Sequence, residues 1–358
     1  MNNRNRNIFS SNCGIGVSHN IFEKITSLEN LFRAWREFKR GKGKKYDVQK
    51  FEFNLESNFF NLEQELVQMT YCHGNYTSFY VHDPKLRHIH KACVRDRVVH
   101  QAIFRILYPL FDRRFVHDSY SCRFNKGTHR GILRLEQFIC KATANYRNRS
   151  YVLKCDIDKF FHNIDHNILF HFIRERIADK GTLWLIDEII KSFEIEKDKG
   201  IPLGNVTSQL FANIYLNELD QFIKHILKEK YYIRYCDDFL IINNDREHLA
   251  NIIPLVSDFL EKNLKLHLNL NKVIIRKVGQ GIDFLGYVSL PHYRILRTKT
   301  KHRMFAKMKL RKRQLESGLI EEELFDKTLQ SYLGILKHCS GYKLRQVLEN
   351  LTKKQSVI

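Results

Sequence analysis

No Cys-x-x-Cys pair occurs in this 358-residue chain, which argues against a zinc ribbon. The eight cysteines (Cys13, Cys72, Cys93, Cys122, Cys140, Cys155, Cys236 and Cys339) are scattered singly, so they do not read as a disulfide scaffold either. Prolines number only five, Gly/Ser tracts are short and no internal repeat is visible, so no long linker separates independent domains. No uninterrupted apolar stretch reaches the roughly 18 residues of a membrane span. Met1-Asn2-Asn3-Arg4 leads into no apolar signal core. These absences set the expectation of a protein of a reducing cytoplasm, without membrane contact. Acid is scarce as well: 39 Asp and Glu stand against 60 Lys and Arg, a formal charge of +21. An excess that large points to a polyanionic partner, nucleic acid before membrane surface.

What is present is the composition of a soluble globular protein, 43% hydrophobic and 28% charged, long enough for one large or two ordinary cores. The basic excess clusters. Arg297 to Arg313 carries nine Lys/Arg and no acid, and a second cluster runs from Arg33 to Lys50. Thr26 with Glu29 resembles a capping box, after which Leu28, Leu31, Phe32, Trp35 and Phe38 recur at helical spacing. Residues 74–100 read as extended strands turning at Asp83-Pro84, followed by a helical pattern from Val98 to Phe111. Tyr151 to Cys155 reads as a strand, Ser208 to Ile223 as a helix, and Phe284 to Val288 as one short strand. After Thr298 the chain reads as basic and helical.

The chemistry concentrates at Tyr235-Cys236-Asp237-Asp238, between the apolar runs Tyr231-Tyr232-Ile233-Arg234 and Phe239-Leu240-Ile241-Ile242. β-Branched and aromatic residues on both sides read as two buried strands, with adjacent carboxylates at the turn. Such a pair persists when a cation neutralises it, and hard oxygen ligands suit Mg²⁺. From this segment alone an acidic hairpin tip is an equal reading. Asp156 lies about 80 residues upstream at the end of the strand pattern. With Asp237 and Asp238 it makes three carboxylates able to hold two divalent ions for in-line phosphoryl transfer. Asp158 and Asp165 read better as solvated or helix-capping acids.

At these residues the chain resembles a reverse transcriptase, with the family's blocks in order over roughly residues 70 to 345. Arg95-Asp96-Arg97-Val98-Val99-His100, Asp118-Ser119-Tyr120, Arg123 and Lys126-Gly127-Thr128-His129 resemble the finger blocks of bacterial, group II intron-like enzymes. Asp156 to Phe161 resembles the first catalytic block, Gly200 to Asn213 the second and Tyr235 to Asp238 the third. Asn271-Lys272 and Phe284-Leu285-Gly286-Tyr287 resemble the last palm blocks. The resemblance implies an α+β right-hand polymerase: a helical extension over residues 1–70, fingers over 71–150, palm over 151–290 and helical thumb over 291–358. Asp156 and Asp237 would then ligate two Mg²⁺ ions, assisted by the Ile157 carbonyl and by Asp238. Phe161 would be the steric gate that selects deoxynucleotides, with Phe160 in the core. Lys85 and Arg87 would hold the incoming triphosphate, and Lys272 would donate a proton to the departing pyrophosphate. Arg297, Lys299, Lys301, Arg303, Lys307 and Arg311 would meet the phosphates of an RNA–DNA duplex, with Ser331 to His338 completing the thumb.

The second block departs from the usual Gln-Gly: this chain has Leu203-Gly204-Asn205-Val206-Thr207-Ser208-Gln209. Gly204 lets the backbone approach the new base pair, while Leu203 removes a polar contact near the nucleotide sugar. An apolar residue before Gly, with Ser-Gln after, resembles the enzymes of diversity-generating retroelements, which misincorporate opposite adenine. The favoured expectation is error-prone copying of a dedicated template RNA from dNTPs, helped by an accessory protein, with oligomeric state open. The rival settings are a defence-associated enzyme that copies a non-coding RNA and an idle RNA-binding scaffold. With the thumb reaching the end of the sequence, the expectation is that no RNase H, integrase or endonuclease module is present and that later steps fall to other factors.

Overall fold

The computed structural model describes residues 20–82 and 85–352; the expected Asp83-Pro84 turn and Cys13 lie outside them. The chain divides into two compact units. One contains residues up to Arg113 together with Ile164–Ile214, and the other Arg114–Asn163 together with the chain from Tyr215 onward.

The first unit is mainly helical. Its helix Leu28–Lys39 buries Leu31, Ala34, Trp35 and Phe38, the apolar face that the sequence spacing predicts, against the helix Val94–Asp112. The cap differs from the expected one. Thr26 closes the preceding helix Ile21–Thr26 and returns its hydroxyl to the Phe22 carbonyl at 3.0 Å. Ser27 caps instead, accepting from the Asn30 amide at 3.3 Å, because it is the residue with non-helical backbone at the start of the new helix. Strands β1 (Thr77–Val81) and β2 (Arg87–Lys91) form an antiparallel hairpin. Asp165 accepts the Ile168 amide at 3.0 Å at the head of the helix His166–Arg174, the capping one of the two roles read from the sequence; it is buried and not solvated.

The second unit is built on an antiparallel sheet of order β4-β5-β3-β6, from β3 (Tyr151–Asp156), β4 (Tyr231–Tyr235), β5 (Asp238–Asn243) and β6 (Ile274–Lys277). Both faces are covered, so β5 is buried continuously from Phe239 to Ile242. Leu240 and Ile242 join Ile132, Leu135 and Phe138 of the helix Thr128–Ala142 in one core. Strand alternation turns Phe239 and Ile241 to the other side. The same core extends to Met304, Met308, Phe325, Leu329 and Leu348 of the three C-terminal helices Thr298–Glu316, Glu322–Leu336 and Tyr342–Thr352.

The expected single strand over Phe284 to Val288 is two. β7 (Ile282–Phe284) and β8 (Tyr287–Leu290) are joined by Leu285-Gly286, both at positive φ (51° and 88°), and β9 (Tyr293–Leu296) completes a small sheet. A leucine in the left-handed region is costly, so the apolar run conceals the turn. The fold is α+β with antiparallel sheets, as the sequence implies. No helix of the described residues is long and apolar enough to cross a membrane.

Candidate active site

Asp156 ends β3 and Asp238 begins β5, and the antiparallel register sets them directly opposite each other. The β4–β5 hairpin closes between Tyr235 and Asp238, which also pair. Its turn residues are Cys236, in the left-handed conformation at φ 56°, and Asp237. Asp156 is buried, with 8% of its surface exposed, while Asp237 and Asp238 are half-buried.

Burial pushes the Asp238 carboxyl up to about 6; Lys154 opposes this, while the charges of Asp156 and Asp237 and a hydrogen bond with Asp156 add to it. Burial, then the charge of Asp156, also raises Asp237. The Lys272 ammonium is ion-paired to Asp156 Oδ2, and that hydrogen bond holds Lys272 above the usual lysine range.

The short turn Leu270–Lys272 hangs on the end of β3. Asn269 donates its amide to the Asp156 carbonyl at 2.8 Å, and Asp158 donates to the His267 carbonyl at 2.9 Å. Ile157 is bridged to Leu268 between these bonds, so its own amide and carbonyl point away from that segment.

Among the described residues no three His, Cys, Asp or Glu side chains form a ready metal cage. The donor set nevertheless fits Mg²⁺, which is held by one or two carboxylates together with substrate phosphates. Two half-buried carboxylates beside a third are both driven toward protonation, and a divalent cation relieves that cost.

The other candidates fall into three places. Phe160 is in the core, its ring 5.2 Å from Phe161 and 6.4 Å from Tyr215, and Phe161 is half-buried. In the first unit, Lys85 and Arg87 are exposed at the start of β2. Leu203 and Gly204 meet the same strand slightly farther on. The Leu203 carbonyl accepts the His90 amide at 3.1 Å, Asn205 Nδ2 donates to the His90 carbonyl at 3.1 Å, and Gly204 has φ 115°. A Cβ on Gly204 would lie 2.9 Å from Ile89 Cγ2, so this contact requires glycine.

On the helix Thr298–Glu316, fourfold spacing puts Lys299, Arg303, Lys307 and Arg311 in one row. Lys301 is off that row, and Arg297, the residue preceding the helix, is ion-paired to Asp283.

Sequence reasoning missed Lys154, whose charge acts on Asp238 and whose Nζ donates to the Asp283 carbonyl at 3.0 Å. It also missed Asp220 and Arg234, a fully buried ion pair behind the carboxylate turn. The available signal was an arginine within an apolar strand, a position that demands a buried acid.

Residues 82–289 match the family model described as "Reverse transcriptase (RNA-dependent DNA polymerase)". The Escherichia coli protein YkfC is 28% identical over 258 residues, covering 61% of this chain and 65% of that protein. The group II intron-encoded protein LtrA of Lactococcus lactis is 24% identical over 271 residues, covering 57% of this chain and 44% of that protein. A solved telomerase from Candida albicans, in complex with a fragment of telomeric RNA, aligns at a TM-score of 0.48 and 12% identity, over 73% of this chain and 55% of that one. The chain thus spans between about two fifths and two thirds of the length of these proteins.

Proposed function

Since the chain belongs to the reverse transcriptase family, whose model covers more than half of it, we propose that it is an RNA-directed DNA polymerase, joining nucleotides from deoxynucleoside triphosphates to a primer 3′ end with release of pyrophosphate. The observation that carries this reading is the pairing of Asp156 with Asp238 beside the Asp237 turn, at the end of an antiparallel sheet. Asp156 and Asp237 would hold two Mg²⁺ ions, with the Ile157 carbonyl and Asp238 completing the set. When bound, Mg²⁺ supplies positive charge at the attacking and leaving oxygens.

The chain's own side chains orient the substrates. Lys85 and Arg87 bind the triphosphate, Phe161 lies under the sugar and excludes a 2′-hydroxyl, and Gly204 admits the new base pair. Lys272 neutralises Asp156 before nucleotide arrives and gives a proton to the departing pyrophosphate. The row Lys299, Arg303, Lys307 and Arg311, joined by Arg297 and, to a lesser extent, by Lys301 off the row, binds the phosphates of the RNA–DNA duplex. Leu203 in place of a polar residue supports an error-prone enzyme of a diversity-generating retroelement that copies its own template RNA with an accessory protein.

Primer extension on an RNA template with Mg²⁺ and dNTPs tests the activity. Wild-type protein extends the primer, and full extension by Asp237→Ala/Asp238→Ala would overturn the metal assignment. Leu203→Gln lowers misincorporation opposite template adenine; an unchanged error spectrum removes the support that Leu203 gives to the retroelement setting.

A further inference from the structure

Arg234 is among the most completely buried large side chains of the protein. It sits one residue before the end of β4, between Ile233 and Tyr235. A guanidinium in that position must be matched by a charge and by hydrogen bonds. Asp220, on the helix Val206–Gln221, provides the charge in fork geometry: Arg234 Nε donates to Oδ1 at 2.7 Å and Nη2 to Oδ2 at 2.6 Å. Tyr232 donates its hydroxyl to the same Oδ1 at 2.6 Å.

The remaining arm reaches the hairpin tip. Arg234 Nη1 donates to the Cys236 carbonyl at 3.0 Å, and that carbonyl belongs to the peptide that leads into Asp237. The Arg234 backbone is fixed as well. Its amide donates to the Asp118 carbonyl and its carbonyl accepts the Tyr120 amide, each at 2.9 Å. Asp118 is itself ion-paired to Arg134 Nε at 2.8 Å. Cys236 is a non-glycine residue at φ 56°, a conformation that persists where its surroundings impose it.

We propose that Arg234, locked in place by Asp220, is a positioning residue that clamps the Cys236–Asp237 peptide and so aims the Asp237 carboxylate for cation binding and nucleotide transfer. The proposal deepens the polymerase reading and rests on it. A pair serving only the core would be replaceable by apolar side chains of similar volume. The bond to the Cys236 carbonyl would then be dispensable, whereas a clamp has no apolar substitute.

The test is the triple variant Asp220→Leu/Tyr232→Phe/Arg234→Met, which removes both charges and the hydroxyl together and leaves only the Cys236 carbonyl without its donor. Four quantities are measured: the thermal midpoint, Mn²⁺ affinity of the protein alone by electron paramagnetic resonance, affinity for an RNA–DNA duplex, and kcat and KM for dNTP incorporation. The expected result is a folded protein with duplex affinity and dNTP KM within about twofold of wild type. Its Mn²⁺ affinity falls about 10-fold, and kcat falls about 100-fold, the scale of a misplaced reacting group.

A folded variant with wild-type Mn²⁺ affinity and kcat overturns the proposal. Should the triple variant fail to fold, Arg234→Lys takes its place, because a compact ammonium does not reproduce the planar fork that grips both Asp220 oxygens while a further arm reaches the Cys236 carbonyl; the same two outcomes then decide. Wild-type protein that binds Mn²⁺ but extends no primer sinks the polymerase reading instead, and the Mn²⁺ comparison still judges the clamp.

Discussion

Asp156 and Asp238 are register partners on β3 and β5, so two carboxylates meet at the end of one strand pair with Asp237 beside them. Burial and mutual repulsion make this costly, and the cost is retained for function rather than for stability. Asp238→Asn removes one charge while keeping the shape. In EDTA at pH 8 its thermal midpoint should exceed that of wild type by about 2–4 °C, while its extension rate falls. A midpoint equal to or below that of wild type would mean that the carboxylates do not strain one another.

Gly204 gives a second site where packing decides the outcome. A methyl group there would press on Ile89 Cγ2 at 2.9 Å, from a backbone at φ 115°. Gly204→Ala should destabilise the protein by about 1–3 kcal/mol and raise KM for dNTPs. Ile89→Ala in the same chain should recover part of the loss by removing the clashing methyl, though not the part due to φ. Denaturant unfolding of the two variants and of the pair separates these contributions; a pair that is merely additive would argue against the contact.

Local patterns made the strands around Asp237 and Asp238 legible, because β-branched and aromatic residues predominate on both sides, with Arg234 the one charge among them. The same reasoning placed Asp156 at a strand end and left Asp165 as a solvated or helix-capping acid, of which the structure shows the cap. The facing of Asp156 and Asp238 was not legible in that way, since pairing across about 80 residues is set by tertiary contacts. Arg234 hid for a related reason: nothing local announces that its partner is Asp220, and no motif spacing predicts a bond to the Cys236 carbonyl. The hairpin inside Phe284 to Val288 was masked because Leu285, a poor turn former, takes a left-handed φ of 51°. Thr26 and Ser27 offered the same hydroxyl chemistry, and backbone conformation at the helix start chose between them.

The row Lys299, Arg303, Lys307 and Arg311 predicts how duplex binding depends on salt. Each lysine that neutralises a phosphate contributes close to one to the slope of log affinity against log salt. Lys299→Ala and Lys307→Ala should each lower that slope by about one and weaken binding about equally across sequences. Lys301→Ala, off the row, should change it less. Fluorescence anisotropy over a salt series measures this, and equal slopes for all three variants would show that the row is not the contact surface.

His100 links the buried polar centre of the first unit to pH. Its ring stacks on His73 with Nε2 to Nε2 at 3.1 Å, and its Nδ1 is buried without a hydrogen-bond partner. Gly74 accepts from His73 Nδ1 at 2.7 Å, which leaves His73 Nε2 as acceptor and His100 Nε2 as donor, so His100 is neutral in the folded protein. Burial first, and then the neighbouring His73, lower its pKa to about 3. Between the ordinary histidine value near 6.5 and about 3, the unfolded chain binds a proton at this residue that the folded chain refuses. Stability contributed by the neutral ring is therefore complete above pH 6.5 and is lost as pH falls, at about 1.4 kcal/mol per pH unit. From pH 6.5 to 4.5 His100 alone should cost on the order of 2–3 kcal/mol. His100→Gln keeps a polar side chain without the titration, so its stability should decline less over that interval. Urea unfolding of both proteins at pH 7.5, 6.0 and 4.5 reads the difference, and parallel declines would show that the ring is already protonated in the fold.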